Sequence, residues 1–489
     1  MESQASGAAA QRGPRQVSRQ ADGSTAYSRR WVALGLLCLA QLMLVLDVTV
    51  VNVALPDIGT SLSLGRPTLT WILTAYTMAF GGLMLLGGRL ADTFGARRVM
   101  LAGLVIFTAA SAVSGLARTA PMLIGGRAAQ GIGAALLSPA ALAMVSTMFS
   151  GTERNRALGL WAAIGGAGAA LGVILGGVLT SAAGWPWVFF INLPIGLAVL
   201  IAVPMLVPAA PGLRDRGPVD VPGGLVVTAA TGSAIYGLIS AGSHGWLAGQ
   251  TLLPLAIAVT LYAAFALIER TRRAPLMDVR ILRRRAVATG TFLMLVATGL
   301  LVGLFFLGSF YLQRVRGFSA LATGLAFLPV AAAAITGAQG ASHAVAVVNR
   351  RVLMPVALAV AALGLVVAAA WHGPVPLILG MSVAALGIGA ILVAATTTAL
   401  ADVAPHEAGL RSGILNTSHE LGSALGVAVL STVAAASLAT AGTTSGSTAT
   451  GGFTRAFIVG AVAALAGALV AAVAAPGGTA AAGASPHGH

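Results

Sequence analysis

Long apolar runs, broken by short polar segments that carry arginines, dominate the chain. A helix needs about 20 mostly apolar residues to cross roughly 30 Å of hydrocarbon. Runs of that length, bounded by Arg clusters and Gly/Pro breaks, lie at residues 31–55, 69–90, 98–118, 121–148, 157–182, 186–207 and 221–242. Seven more lie at 250–269, 287–312, 321–344, 352–371, 375–400, 409–437 and 454–475. The pattern predicts an all-α polytopic membrane protein with fourteen transmembrane helices. The connection between the seventh and eighth runs, Gly242 to Gly249, is short and Gly-rich.

Outside the runs the chain changes character. Residues 1–30 are polar and rich in Arg, Gly, Ser and Ala, which predicts a disordered cytoplasmic tail. A signal peptide is excluded there, because the apolar run that follows is too long and has no convincing cleavage site. Residues 439–452 read as a flexible outside loop and 476–489 as a second disordered tail, in which His487 and His489 are too few to argue for a metal.

Composition agrees with the pattern. Of 489 residues, 57% are hydrophobic and 8% charged, whereas soluble domains carry about 25% charged residues. A soluble enzyme, a disordered scaffold and a secreted disulfide module are excluded. The single cysteine, Cys38, lies in an apolar run and reads as a small buried residue.

Charge orients the spans. The 28 basic side chains are all arginine, against 13 acids, for a net charge of +15. With a cytoplasmic N-terminus, 22 arginines fall in inside segments, five fall outside, and Arg127 alone lies within a span. The positive-inside rule then gives an N-in, C-in topology. The arginines sit in small groups between apolar runs, so nucleic acid is not the partner. Without lysine there is no Walker A loop to hold ATP and no Schiff-base chemistry. No HExxH, CxxC or serine-elbow pattern occurs, which argues against an enzyme.

The chain also repeats itself. Arg97-Arg98-Val99-Met100-Leu101 is matched by Arg350-Arg351-Val352-Leu353-Met354, and Ala170-Leu171-Gly172-Val173 by Ala424-Leu425-Gly426-Val427, at offsets of 253 and 254. Spans 1–6 thereby pair with spans 9–14 and leave spans 7–8 as an insert. Parallel six-span repeats belong to two-bundle secondary transporters, with the substrate path between the halves. The predicted organisation is a six-helix bundle at 31–208, two extra helices and an Arg-rich cytoplasmic connector at 209–285, and a second six-helix bundle at 286–475.

Several polar residues stand inside apolar helices, where they are costly. Asp47 lies well inside span 1 and is a candidate proton-exchanging carboxylate or counter-charge for a cationic substrate; the alternative is an interhelical hydrogen-bond anchor. Arg127 shares a small, polar face with Gln130, Gly131, Ala134 and Ser138. It needs an anionic or carbonyl partner. In span 13, Asn416, His419, Glu420 and Ser423 fall on one face at spacings of three and four. Glu420 is a candidate second protonation or cation site there, with a polar packing cluster as the alternative. Gly168, Gly172 and Gly176 recur every four residues, which lets helices approach closely. Seven arginines between Arg270 and Arg285, with Glu269 and Asp278, predict a surface-lying connector attracted to anionic lipid.

Five segments resemble a known family. Leu46-Asp47-Val48-Thr49-Val50-Val51-Asn52-Val53-Ala54-Leu55-Pro56 resembles the first-span signature of the fourteen-span drug:proton antiporters of the major facilitator superfamily. Gly88 through Arg98 is similar to the superfamily's loop motif between spans 2 and 3, and Arg127 through Gly133 to its span-4 motif. Gly168 through Gly177 resembles the span-5 motif of exporters, and Trp185 through Gly196 the span-6 entry of this subgroup. There are departures. Thr93 and Ala96 stand where the loop motif usually has basic residues, Val173 where the exporter motif has Pro, and Pro186 where the subgroup has Arg.

The resemblance implies a major facilitator fold and proton-coupled drug efflux across the plasma membrane, and the high Ala, Gly and Arg content without Lys suggests a bacterial source. It implies roles for Asp47, Asn52, Arg127 and Gln130 in coupling or substrate binding, with Arg127 lowering the pKa of an acid it meets. It implies a conformational gate at Gly88, Asp92, Gly95, Arg97 and Arg98, and a helix-packing motif at Gly168, Gly172, Gly176 and Gly177. The expected partners are a small hydrophobic or cationic substrate, protons and membrane lipid. No cofactor is expected beyond the proton motive force. Export of one endogenous metabolite or self-made antibiotic, uptake by proton symport, and a non-transporting membrane sensor remain as alternatives.

Overall fold

The computed structural model describes residues 14–64, 66–207, 221–271, 277–370, 373–401, 403, 407–440 and 447–477. Every regular element among them is helical. In chain order they are α1 (Pro14–Ser61), α2 (Arg66–Phe94), α3 (Ala96–Gly115), α4 (Ala120–Met148), α5 (Gly151–Ala183), α6 (Trp187–Phe190), α7 (Asn192–Leu206) and α8 (Val221–His244). There follow α9 (Gly249–Thr271), α10 (Arg285–Phe310), α11 (Ala320–Ala326), α12 (Leu328–Val347), α13 (Arg350–Ala370), α14 (Pro374–Ala399), α15 (Ala408–Thr440) and α16 (Ser447–Ala474).

Twelve helical segments among the described residues are long and apolar enough to cross a membrane. They correspond to twelve of the fourteen apolar runs. The other two runs, 157–182 and 409–437, lie in α5 and α15, each 33 residues long.

Local chemistry explains where the helices depart from the apolar runs. α1 starts at Pro14, so residues expected to be disordered up to 30 continue the helix of the first run. Proline is well placed at a helix start, where its missing N–H is not needed. The sixth run is two helices, α6 and α7. Pro194 has no N–H to return to the carbonyl of Phe190, and the helix breaks between them. The tenth run likewise divides at Phe327, beside Pro329. α5 has no Pro inside it and is unbroken. The outer loop expected at 439–452 is shorter than expected, because α15 ends at Thr440 and α16 begins at Ser447. Residues 1–13, 208–220, 272–276, 441–446 and 478–489 lie outside the described residues, and with them the second tail beyond Gly477, His487, His489, Arg214, Arg216, Arg272 and Arg273.

The core is built by close helix pairs, among them α2 with α4, α3 with α4, α13 with α14, α12 with α14, α10 with α15 and α1 with α5. α8 and α9 form a hairpin. Ser233 Oγ donates to the Pro254 carbonyl at 2.8 Å, and the Thr231 and Tyr262 hydroxyls are 2.8 Å apart. α8 lies along both α2 and α15: a Cβ on Gly82 would stand 3.1 Å from the Thr228 carbonyl, and one on Gly242 would stand 3.0 Å from Ser431 Oγ.

The connector after α9 is more than a surface strap. Met277 N–H donates to Glu269 Oε2 at 2.9 Å, and Asp278 accepts from Arg280 N–H at 3.0 Å. Met277 and Ile281 are buried among Leu85, Val227, Phe265, Val287, Leu410 and Ile414, while Arg280, Arg283, Arg284 and Arg285 are exposed. Apolar residues between the arginines therefore anchor the connector on α2, α8, α9, α10 and α15.

Candidate functional site

Asp47 sits in the last third of α1, and 1% of it is exposed. Arg127 of α4, also 1% exposed, donates from Nη1 to Asp47 Oδ2 in a buried ion pair. The same Nη1 reaches Gln130 Oε1 at 2.9 Å, and Nε reaches the Ile72 carbonyl at 3.3 Å. The other carboxylate oxygen, Oδ1, accepts from Gln130 Nε2 at 3.0 Å and from Asn192 Nδ2 at 2.9 Å. Ser111 Oγ of α3 accepts from Gln130 Nε2 at 2.7 Å and from Asn192 Nδ2 at 3.4 Å. The guanidinium lies 4.2 Å from the centre of the Tyr76 ring. Cation, anion, amides and aromatic face thus satisfy one another where water is excluded, as buried charges require.

Five helices, α1, α2, α3, α4 and α7, hold this centre. The partner Arg127 needed is Asp47, buried in the facing α1. Asn192 opens α7, just after the break imposed by Pro194, and the break turns its amide toward Asp47. Sequence reading missed Asn192, Ser111 and Tyr76 as site residues. Ser and Tyr in an apolar helix give no signal, whereas an Asn two residues before a mid-span Pro was a usable one. Asn52 is not brought into the centre: it is exposed and donates to its own helix at the Val48 carbonyl, 2.8 Å away.

The polar stripe of α15 forms two separate contacts. Asn416 Nδ2 donates to Ser138 Oγ of α4 at 3.3 Å, and Ser138 Oγ donates to Gln41 Oε1 of α1 at 3.1 Å. Farther along α15, His419 Nδ1 lies 3.2 Å from Glu420 Oε1. The Glu420 side chain is 15% exposed and that of His419 41%. Glu420 packs against α2, its Cβ 3.4 Å from where a Cβ on Gly81 would stand.

The candidate gate residues lie at one end of the bundle. Asp92 Oδ1 accepts from Gly409 N–H and Oδ2 from Leu410 N–H, both at 2.7 Å. An acid from the end of α2 therefore caps the start of α15, where unpaired N–H groups and the helix dipole favour negative charge. A Cβ on Gly88 would collide with the Gly409 carbonyl, so only glycine permits this approach. Gly95 turns the chain between α2 and α3 with φ +91°. Arg97 Nη1 donates to the Val207 carbonyl at 2.8 Å, while Arg98 is exposed. At the same end, Arg154 Nη2 of α5 donates to the Leu400 carbonyl at the close of α14.

The glycines of α5 face the helix that carries Asp47. A Cβ on Gly168 would stand 2.6 Å from Val45, one on Gly172 would overlap Thr49 Oγ1, and one on Gly176 would stand 3.1 Å from Val50 and Val53. Gly177 has no neighbour within 4 Å and is not part of the contact. Among the described residues no group of three or more His, Cys, Asp or Glu could hold a metal ion.

A helical membrane bundle with an acid–arginine pair sealed among its helices, and an acid of α2 capping α15 at one end, has the architecture of a membrane transporter. The chain belongs to the Major Facilitator Superfamily, whose family model matches residues 37–427. It is 38% identical over 423 residues to the puromycin resistance protein pur8 of Streptomyces alboniger, covering 84% of this chain and 83% of that one. It is 37% identical over 434 residues to the cephamycin export protein CmcT of Amycolatopsis lactamdurans, covering 86% and 88%. Its fold matches that of the proton:xylose symporter XylE with a TM-score of 0.65 at 14% identity, over 93% of this chain and 97% of that one. The protein is thus a multi-pass bacterial membrane transporter and not an enzyme.

Proposed function

We propose that the protein exports antibiotics or other small hydrophobic, often cationic, drugs from the cell in exchange for protons. The similarity to a puromycin resistance protein and a cephamycin export protein supports drug export. The observation that carries proton coupling is the Asp47–Arg127 pair, a carboxylate whose charge is held inside the bundle by one guanidinium and two amides. Proton uptake by Asp47 removes the charge that holds Arg127 and loosens α1 from α4. The glycine stripe of α5 lets α1 shift along it as the carrier alternates. Glu420 is the second acid in this reading. It offers a counter-charge for a cationic substrate, with His419 and Asn416 on the same helix.

In this reading the chain crosses the membrane fourteen times, N-in and C-in, with α5 and α15 as the two further spans. Bundles at 31–208 and 286–475 flank the inserted α8–α9 pair. Two contacts recurring across the repeat support that division. Gly88 faces Gly413; 254 residues after Gly88 and 254 before Gly413, Ser342 faces Gly159, with a Cβ on Gly159 standing 2.6 Å from Ser342 Cβ. Arg97 donates to Val207 at the end of α7, and Arg351 donates to the Ala475 carbonyl just after α16 at 2.9 Å. The gate end carrying Asp92 is then cytoplasmic and closed, and anionic lipid headgroups meet the exposed connector arginines there.

The test is transport in liposomes with an internal pH dye and an imposed proton gradient, adding cationic and neutral drugs one at a time. Drug-dependent proton movement in the wild type, lost in Asp47→Asn, is the expected result. Movement retained in Asp47→Asn moves the coupling role to Glu420. Movement with one compound and no other defines a single-substrate exporter.

A further inference from the structure

The hydrogen bonds that join α1, α4 and α15 run in one direction and leave an open group at each end. Asn416 Nδ2 donates to Ser138 Oγ at 3.3 Å, and Ser138 Oγ donates to Gln41 Oε1 at 3.1 Å. Each amide spends one end on the serine. Gln41 of α1 keeps an N–H2 donor and Asn416 of α15 keeps a carbonyl acceptor. Both residues are half-buried, and neither open atom is sealed from its surroundings. Reversing the amides and the hydroxyl exchanges the two ends, and one donor and one acceptor still remain.

The open ends face the inside of the molecule. α15 presses on α10 at Gly422 and Gly426, where a Cβ would collide with the Leu295 and Gly299 carbonyls. It presses on α2 at Gly413, where a Cβ would stand 2.9 Å from the Met84 carbonyl. At about 100° per residue, Asn416, His419 and Ser423 fall between those two contacts, on the side that meets α4 and α1. The His419 side chain, 41% exposed, opens onto that face. Glu420 stands one turn beyond Asn416, about 6 Å farther from the capped start of α15.

We propose that Gln41 and Asn416 together bind one amide or hydroxyl group of the exported drug, Gln41 donating to its oxygen and Asn416 accepting its N–H or O–H. The inference rests on the drug export proposed above and narrows its substrate class. The substrate is a lipophilic amine with such a group near its positive charge. The group is held at the two amides and the charge is directed along α15 to Glu420. An ester or a hydrocarbon does not satisfy both ends, because it leaves the Asn416 carbonyl desolvated without a donor. A site built to hydrogen-bond a substrate group rejects analogues that lack it.

The experiment measures binding to the purified protein in detergent for two pairs of amines: procainamide with procaine, and propranolol with its deoxy analogue. The second member of each pair lacks the amide N–H or the hydroxyl. The readout is the ratio of dissociation constants within a pair, which a purely structural role for the amides does not move. Wild type should favour the first member by about tenfold. Gln41→Met and Asn416→Leu keep the side-chain volume and remove the amide, so the ratio should fall toward one in both. A ratio near one in wild type overturns the inference. So does a wild-type ratio in a folded Gln41→Met or Asn416→Leu protein, including losses that strike both members of a pair alike. The thermal midpoint reports folding, and if one variant is unfolded the other decides. Failure of wild type to bind any of the four amines would instead sink the underlying reading of lipophilic amines as the exported drugs, which keeps the two failures distinct.

Discussion

Asp92 makes the most direct bond between the two ends of the sequence, and removing it should open the gate end. Its carboxylate accepts two backbone N–H groups, from Gly409 and Leu410, each at 2.7 Å, and it is buried. A hydrogen bond to a charged group contributes about 1.5–3 kcal/mol net of water. Asp92→Ala loses both and leaves two N–H groups at a helix start without their anion. A shift of about 3 kcal/mol, on the order of a hundredfold in the equilibrium between closed and open at this end, is the lower expectation. Asp92→Asn keeps one acceptor and turns an amide N–H toward a donor, so it should fall between alanine and wild type. Cys38 is the one native cysteine, which makes a Cys38→Ser background simple to label. Spin labels at Phe94 and Val347, both exposed at the ends of α2 and α12, report the opening as a distance distribution. The wild type should show the short distance and Asp92→Ala predominantly a longer one. An unchanged distribution in a folded Asp92→Ala protein refutes the reasoning, because it means the cap adds nothing to closure.

Other residues give sharper local tests. Arg127→Ala strands a buried carboxylate and should lower stability by about 3–5 kcal/mol, read as a fall in thermal midpoint in detergent; adding Asp47→Asn should recover much of that loss. Gly172→Ala drives a methyl into Thr49 Oγ1 and should cost about 1–3 kcal/mol, rescued by Thr49→Ala, while Gly177→Ala should leave the midpoint unchanged. Arg154→Ala removes the donor to the Leu400 carbonyl at the end of α14 and should lengthen the Phe94–Val347 distance on its own, adding to the effect of Asp92→Ala.

Much of the fold was legible because a membrane helix announces itself by length and apolarity alone. That signal does not register how a run is divided. Pro194 and Pro329 each withhold one N–H inside an uninterrupted apolar stretch, and hydropathy does not see a missing donor. The demand of Arg127 for an anion was legible, but its answer depended on which helices pack together. Asp92 caps a helix more than 300 residues away in sequence, a pairing that no local pattern announces. Asn52 failed to join Asp47 for a geometric reason: five residues along a helix turn a side chain by about 140°. Tyr76 was invisible, since a tyrosine in a membrane helix is ordinary until its ring proves to lie against Arg127.

The two polar centres differ in the kind of partner they use, and that difference bears on how a proton could move the molecule. At the gate end, Asp92 and Arg154 bind backbone groups, Gly409 N–H, Leu410 N–H and the Leu400 carbonyl. Backbone groups do not titrate, so nothing on that side of the contact responds to proton supply. In the middle, Asp47, Arg127, Gln130 and Asn192 bind one another through side chains, and one proton on Asp47 changes the three bonds that end on its carboxylate. In the mechanism proposed above, proton sensitivity thus sits in the middle and mechanical closure at the end. α4 spans the gap: it carries Arg127 and Gln130 in the centre and, two turns nearer the gate, Ser138, which holds Asn416 of α15 and Gln41 of α1. α15 then leads from Asn416 to the capped residues at its own start. A rigid helix displaced at Arg127 must move at Ser138 as well, and Ser138 touches the helix that the gate holds.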